Sequence, residues 1–241
     1  MATIAKYLVV LLISMLCLSC SFDLNVSGVK GNGNVVTESR LSDVSFSKIK
    51  ASEGLDVYLT KSTSTAVKVQ ADENIQELIE TEIKNGVLHI HTKESLGKAR
   101  AKKVLVNFTN LNEISSSSGA EIHTTNFILS DNIIVKASSG SHQKLSIKAA
   151  TINCKTSSGA NIELDGRAKS ISANASSGSV INAHSLIAES CTTKSSSGAN
   201  IDVNCKSAID AKASSGSNTS YAGNPASVNK SKSSAASITK H

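Results

Sequence analysis

The triplet Ser-Ser-Gly occurs six times from residue 117 onward in this 241-residue chain, with its glycines at Gly119, Gly140, Gly159, Gly178, Gly198 and Gly216. The steps are 21, 19, 19, 20 and 18 residues, and a degraded seventh copy, Ser233-Ser234-Ala235-Ala236, follows at a step of 19. A fixed period of this length marks a solenoid, in which each repeat is one layer that buries its apolar positions against its neighbours.

Alignment on the glycines shows what each layer contributes. Seven residues before the glycine stand Ile133, Ile152, Ile171, Cys191 and Ile209; five before it Val135, Cys154, Ala173, Thr193 and Ala211; three before it Ala137, Thr156, Ala175, Ser195 and Ala213. Beyond the glycine, Ile122, Ile162, Ile181 and Ile201 recur at the third position, and Leu145, Leu164, Ala183, Val203 and Tyr221 at the fifth. This alternation has period two, so two strands with one apolar face each meet at every glycine. With 3% aromatic residues and no Trp, the chain lacks the large side chains of a conventional globular core. Stacked layers tolerate small residues, and the regular placement of Ile, Val, Leu and Ala argues against disorder.

The sequence therefore predicts an all-β protein, a right-handed parallel β-helix (β-solenoid) with coils of about 18–21 residues, a series of antiparallel hairpins being the alternative. The glycine is expected at a corner that needs positive φ or leaves no room for a Cβ. By parity, the serine before it (Ser118, Ser139, Ser158, Ser177, Ser197 and Ser215) is expected to form an inward ladder. The residue after the glycine alternates between Ala and Ser, as in KTSSGANIELD against NASSGSVINAH, a two-coil rhythm that the pattern alone does not explain.

Ahead of residue 115 the repeat blurs. Strands are read at GNGNVV (31–36), VSFSKIKASEGLDVYLT (44–60), TAVKVQAD (65–72) and GVLHIHT (86–92), with one short helix or turn over 73–82 that Asp72 would cap. The first residues combine Lys6, an apolar run from Tyr7 to Leu18, and Ser19 before Cys20. That run is shorter than the ~18–20 residues that span a bilayer, which predicts an export signal. Ser19-Cys20 resembles the end of a bacterial lipoprotein signal, making Cys20 the expected lipid anchor, although Cys17 and Leu18 depart from the usual pattern. The expected organisation is a signal over 1–20, a tether over 21–29 and one β-helix domain over 30–241. Within that domain, blurred coils run from 30 to 115, regular coils from 116 to 225 and a degenerate cap from 226 to 241.

In order, GNGNVVTESR, FSKIKASEGLDVYLT, VKVQADENIQELIETEIKNGVLHIHT, LNEISSSSGAEI and the serial SSG coils resemble the putative auto-transporter adhesin head GIN domain family of Bacteroidetes-type bacteria. The resemblance spans roughly residues 30–225 and implies an exported, often lipid-anchored parallel β-helix without enzyme activity. It carries no catalytic or binding residues with it.

The residues themselves offer little catalytic chemistry. Polysaccharide-processing β-helices need clustered carboxylates, whereas Asp131, Glu163, Asp165, Glu189, Asp202 and Asp210 are scattered, Glu163 and Asp202 sharing a row two coils apart. His89 and His91 face outward as an HxH pair without a further ligand nearby; His123, His142 and His184 stand alone, and His241 is the last residue. No metal site and no cofactor are expected. Cys154, Cys191 and Cys205 read as small core residues, not as a disulfide.

The outward position four before each glycine holds Lys136, Lys155, Lys194 and Lys212, interrupted by Asn174, beside Ser138, Ser157, Ser176, Ser196 and Ser214. With a formal net charge of +6, this stripe suits either an anionic glycan or membrane surface, or simple protection of a β-face from aggregation. Nucleic acid is disfavoured, because stacking aromatics are missing from the stripe. The expected function is adhesion or cell-envelope interaction by a non-catalytic, membrane-anchored solenoid; the alternative is an envelope protein that binds or processes carbohydrate.

Overall fold

The computed structural model describes residues 28–233 and 235–241, so the expected export signal, Cys20 and most of the expected tether lie outside the described residues. The strands are β1 (Val35–Ser42), β2 (Lys48–Ala51), β3 (Asp56–Lys61), β4 (Ala66–Asp72), then, after a 3-10 helix (Glu73–Leu78), β5 (Ile79–Lys84), β6 (Val87–Thr92), β7 (Lys102–Phe108), β8 (Glu113–Ser116) and β9 (Glu121–Thr124). They continue as β10 (Ile128–Ala137), β11 (His142–Thr156), β12 (Asn161–Ala175), β13 (Val180–Ser195), β14 (Asn200–Ala213), β15 (Asn218–Ala222), β16 (Ser227–Lys232) and β17 (Ser237–Lys240).

Each Ser-Ser-Gly triplet makes a tight corner from two successive residues at positive φ. The serine before the glycine has φ between +48° and +53°, and the glycine between +69° and +72°. The next N–H closes the turn onto the first serine, as in Ala120 N to Ser117 O at 3.1 Å, the pattern of a type I′ turn. A Cβ on any corner glycine would meet no atom within 4 Å, so the glycine is there for its dihedral angles and not for lack of space. Successive corners are bonded in a ladder, Gly119 N to Ser139 O (3.1 Å), Gly140 N to Ser158 O (3.0 Å) and so on to Gly198 N and Ser215 O (3.0 Å). The expected inward serine ladder is therefore corrected. Ser118, Ser139, Ser158, Ser177, Ser197 and Ser215 are exposed, because the left-handed backbone at the corner breaks strand parity.

Two legs leave each corner, and each leg pairs with its counterpart in the neighbouring coils. One leg stacks β8, β10, β11, β12, β13, β14 and β16, all in parallel. The other stacks β9, β11, β12, β13, β14, β15 and β17, also in parallel. Parallel pairing rules out the hairpin alternative here, since strands joined by a two-residue turn would pair antiparallel. The register places Ile133, Ile152, Ile171, Cys191 and Ile209 side by side. All the apolar rows read from the sequence are buried.

The residue after the glycine turns inward, and its Ala/Ser alternation has a physical cause. Ser141, Ser179 and Ser217 are buried, and each meets a hydroxyl three residues before the glycine of the preceding coil. The pairs are Ser116 Oγ to Ser141 Oγ (2.8 Å), Ser179 Oγ to Thr156 Oγ1 (2.9 Å) and Ser195 Oγ to Ser217 Oγ (2.9 Å). Coils with a hydroxyl before the corner have Ala after it; in the next coil the order reverses, so each hydroxyl of these two rows finds a partner across the boundary.

The N-terminal region is not a blurred run of successive coils. Glu53 (φ +63°) and Gly54 (φ +66°) make the same corner between β2 and β3, with Gly54 N bonded to Ser118 O at 3.0 Å. This layer lies between two later ones, β2 pairing with β6 and β8, and β3 with β7 and β9. Beyond β6 and β7 the pairing turns antiparallel, β5 on β6 and β4 on β7, with β1 on β4. The 3-10 helix connects β4 to β5 and buries Ile75, which covers the otherwise open end of the core. The helical reading of 73–82 holds only to Leu78, and Asp72 makes no side-chain cap. Instead its buried carboxylate accepts from Gly33 N (2.7 Å), Ala101 N (2.9 Å) and Arg100 N (3.2 Å), tying GNGNVV to the loop before β7.

Cys191 and Cys205 form a disulfide, correcting the reading of both as free core residues. They stand seven residues before and seven after Gly198, where the two legs of one coil face each other, Cα to Cα 6.1 Å. Separation along the sequence concealed this, because a glycine corner folds equidistant positions onto one another. Cys154 is buried and unpaired.

Candidate functional site: a lysine and serine groove

The register places Lys136 beside Lys155, Lys155 beside Asn174, Asn174 beside Lys194 and Lys194 beside Lys212, so the predicted stripe is one continuous row. Neighbouring strands lie ~4.8 Å apart, which sets the spacing of successive charges. The row extends further than the repeat alone suggested. Ser115 pairs with Lys136 and also with Lys50 of β2, which belongs to a coil outside the period and was missed for that reason.

The corner serines beside this row make it a groove. Lys50, Lys136, Lys155, Asn174 and Lys194 line a hollow of about 730 Å³ together with Ser117, Ser138, Ser157, Ser176 and Ser196. A second hollow of about 270 Å³ continues past Lys194 to Lys212 and Lys232. Neither is lined by a carboxylate.

The lysines are not electrostatically equal. Lys136 Nζ lies 2.7 Å from Glu113 Oε1, and this hydrogen bond holds the Glu113 carboxyl below the usual carboxylate range against the opposing effect of burial. Among the described residues, Lys50, Lys155, Lys194 and Lys212 have no such partner. The free positive charge of the groove therefore lies on either side of Lys136, at Lys50 on one side and at Lys155, Lys194 and Lys212 on the other.

The other chemistry-bearing residues fall elsewhere. His89 and His91 lie opposite Glu82 and Glu80 across the β5–β6 hairpin, His91 Nε2 standing 3.5 Å from Glu80 Oε2. Glu163 and Asp202 are two strands apart with Asn182 between them, and each stands beside a histidine rather than beside another acid. The histidines read as isolated are brought together by stacking. His123 stacks on Tyr58 with centroids 5.5 Å apart and lies near His142, while His184 and His241 meet over Asp202. Burial pushes the Cys154 thiol up to about 12, so it serves as packing, not as a nucleophile.

Fold and groove together define a parallel β-solenoid with a basic, hydroxyl-lined long face. The chain belongs to the family described as "Putative auto-transporter adhesin, head GIN domain", whose model matches residues 45–225. Among solved structures it is similar to a putative adhesin from Bacteroides fragilis, at 21% identity and a TM-score of 0.82, over 89% of this chain and 100% of that one. A putative lipid binding protein from Parabacteroides distasonis shares 19% identity with a TM-score of 0.73, over 89% and 100% of the two chains. A putative adhesin from Parabacteroides merdae shares 18% with a TM-score of 0.71, over 89% and 99%. At these identities the likeness shows a common fold. No curated protein matches the chain in sequence.

Proposed function

We propose that this protein is an exported, lipid-anchored, non-catalytic solenoid that adheres to extended polyanions of the cell envelope through its lysine and serine groove. The observation that carries the reading is the in-register row of Lys136, Lys155, Lys194 and Lys212 along a hollow without carboxylates. Charges repeating along a solenoid axis match a ligand whose own charges repeat, such as an acidic glycan, better than a compact one. Membership of an adhesin family supports the role, and a disulfide in a chain with a leader-like start supports an oxidising compartment outside the cytoplasm. Cys20, outside the described residues, is the proposed anchor, and Cys20→Ala should release the protein from the membrane fraction or leave it unprocessed. Carbohydrate processing finds no support in the groove, whose lining offers no acid for proton transfer.

The deciding experiment replaces Lys136, Lys155, Lys194 and Lys212 together by Gln and measures binding to an acidic polysaccharide and to anionic vesicles. Binding by the parent should fall steeply between low and physiological salt, where the Debye length is ~8 Å, and should vanish in the variant at unchanged Tm. Equal binding by parent and variant, or no binding by the parent, leaves the row as a solubilising face and removes the proposal.

A further inference from the structure

A β-bulge in β13 interrupts the ladder on both of its sides and re-aims a histidine. Between β13 and β14 the register jumps from Ala183–Val203 to Ile187–Asn204, so His184 has no opposite number. It lies in the longer, 20-residue step from Gly178 to Gly198. Its backbone is held on both sides, His184 N donating to Asn182 Oδ1 (3.2 Å) and His184 O accepting from Asn204 Nδ2 (3.2 Å). Bulges commonly re-aim a side chain toward a site, and here the ring is carried over the Asp202 carboxylate.

His184 Nδ1 lies 3.4 Å from Asp202 Oδ2, and His241 Nε2 lies 3.3 Å from Asp202 Oδ1. His241 follows β17, which is separated from β14 by β15, and the register puts only the short Ser220 beside Asp202. The three ligand atoms lie within 4.8 Å of one another. Asp202 Oδ1 is shielded from solvent and accepts no hydrogen bond among the described residues. A polar oxygen left in that condition is costly unless something else satisfies it. Ligand atoms bonded to one tetrahedral ion at ~2.0–2.1 Å stand roughly 3.3 Å apart; each imidazole here is at that distance from its own Asp202 oxygen, and a small closing of the exposed His184 and His241 rings brings the set from within 4.8 Å to that spacing.

We propose that His184, Asp202 and His241 form a surface site for a first-row divalent transition-metal ion of the Zn²⁺ class. Two borderline imidazole donors beside one carboxylate suit Zn²⁺, Ni²⁺ or Cu²⁺ and not the all-oxygen preference of Ca²⁺ or Mg²⁺. Three protein ligands leave at least one coordination position open to water or to a ligand from outside. Because the donors come from β13, β14 and the segment after β17, the ion would clamp the last layers of the solenoid together. The site stands apart from the lysine groove and does not depend on polyanion binding.

The test titrates ZnCl₂ into the full chain, prepared without a polyhistidine tag, by calorimetry, with MgCl₂ as comparator and Tm measured with and without chelator. One Zn²⁺ should bind per chain, raise Tm reversibly and be unmatched by Mg²⁺. Asp202→Asn and His184→Asn should each weaken binding by about tenfold or more at a metal-free Tm close to the parent's. His89→Asn/His91→Asn should leave it unchanged. Absence of stoichiometric Zn²⁺ binding, retention of it in both single variants, or its loss in the His89/His91 variant overturns the assignment.

Discussion

Ser179 Oγ donates to Thr156 Oγ1 at 2.9 Å across the boundary between two coils, and both residues are buried. The same contact links Ser116 to Ser141 and Ser195 to Ser217, always skipping one boundary. Ser179 Oγ also accepts from Ser176 N (3.2 Å) and stands 2.7 Å from Ser176 O, an alternative acceptor for its single proton when Thr156 Oγ1 is the donor across the boundary, so one hydroxyl serves both the inter-coil contact and the corner. The alternation of Ala and Ser after the glycine is thus a pairing rule between layers.

If that rule is correct, Ser179→Ala should destabilise the fold by about 1–3 kcal/mol, because it leaves the buried Thr156 hydroxyl without its partner, whereas Thr156→Val should cost less, since Ser179 keeps Ser176 N and O. The double variant should cost less than the sum of the two, with a coupling of at least ~0.5 kcal/mol in a double-mutant cycle from denaturant unfolding. Strict additivity would show that the hydroxyls act independently.

The corner glycines make a different prediction, since space around them is free and only φ is constrained. Gly178→Val should cost roughly 1–3 kcal/mol, whereas Gly178→Asn should cost clearly less, Asn being far more at home at positive φ. Ala235 sits at φ +63° in the seventh copy, which still closes its turn from Ala236 N to Ser233 O. Ala235→Gly should therefore slow amide exchange over β17, by relieving ~1–2 kcal/mol of left-handed strain. Equal melting of the Asn and Val variants of Gly178 would contradict this account of the corner.

The Cys191–Cys205 bond joins residues 14 apart and closes one coil covalently. A loop of this size is worth ~3 kcal/mol through the entropy of the unfolded chain. Cys191→Ala/Cys205→Ala should lower Tm, and the parent should show the same loss in strong reductant. Cys154 should resist alkylation in both proteins until they unfold, given its burial and raised thiol; labelling at native-state rates would contradict its placement.

How much of this was legible follows from the physics of repetition. The apolar rows from Ile133 to Ala213, the corner and the lysine row could be read because each coil repeats the same side-chain environment, and register then follows from alignment. The inward serine was misplaced by two residues, as Ser139 against Ser141 shows, since counting strand parity through a corner assumes that the corner is itself a strand. Gly54 and Lys50 were missed because the β2–β3 layer is inserted between layers made later in the chain, which destroys the period without altering the geometry. His184 and His241 looked isolated for a related reason: contacts across coils join residues tens of positions apart, and a bulge shifts one of them out of alignment.

Acid should loosen the N-terminal end, where Asp72 ties two segments together. Burial alone would raise the Asp72 carboxyl, but N–H donors from Ala101, Gly33 and Arg100 overcome it and hold it below its ordinary value. A carboxyl depressed in the folded state favours folding fully above its unfolded pKa of ~3.9 and loses that contribution as pH falls through its folded value. Tm of the parent should accordingly decline below about pH 4. Asp72→Asn should melt lower at pH 7, since its amide would face an N–H donor, and should show a shallower decline in acid. Parallel pH profiles for the two proteins would mean that Asp72 does not carry the effect.

The last prediction separates the lysines of the groove. Lys136 is engaged by Glu113 at 2.7 Å, whereas Lys155 and Lys194 have no carboxylate partner among the described residues. Glu113→Gln removes a negative charge at the groove's edge and releases the Lys136 ammonium toward a bound polyanion. Half-exposed pairs of this kind are worth ~0.5–1 kcal/mol, so affinity for an acidic polysaccharide at low salt should rise about two- to fivefold. The gain should disappear near 1 M salt, where the Debye length is ~3 Å. Lys155→Gln should weaken binding under the same conditions, and Lys136→Gln should weaken it less, because that lysine's charge is already partly spoken for. If Glu113→Gln leaves low-salt affinity unchanged while Lys155→Gln lowers it, the binding face begins at Lys155 and Lys136 belongs to the framework that holds β8 against β10.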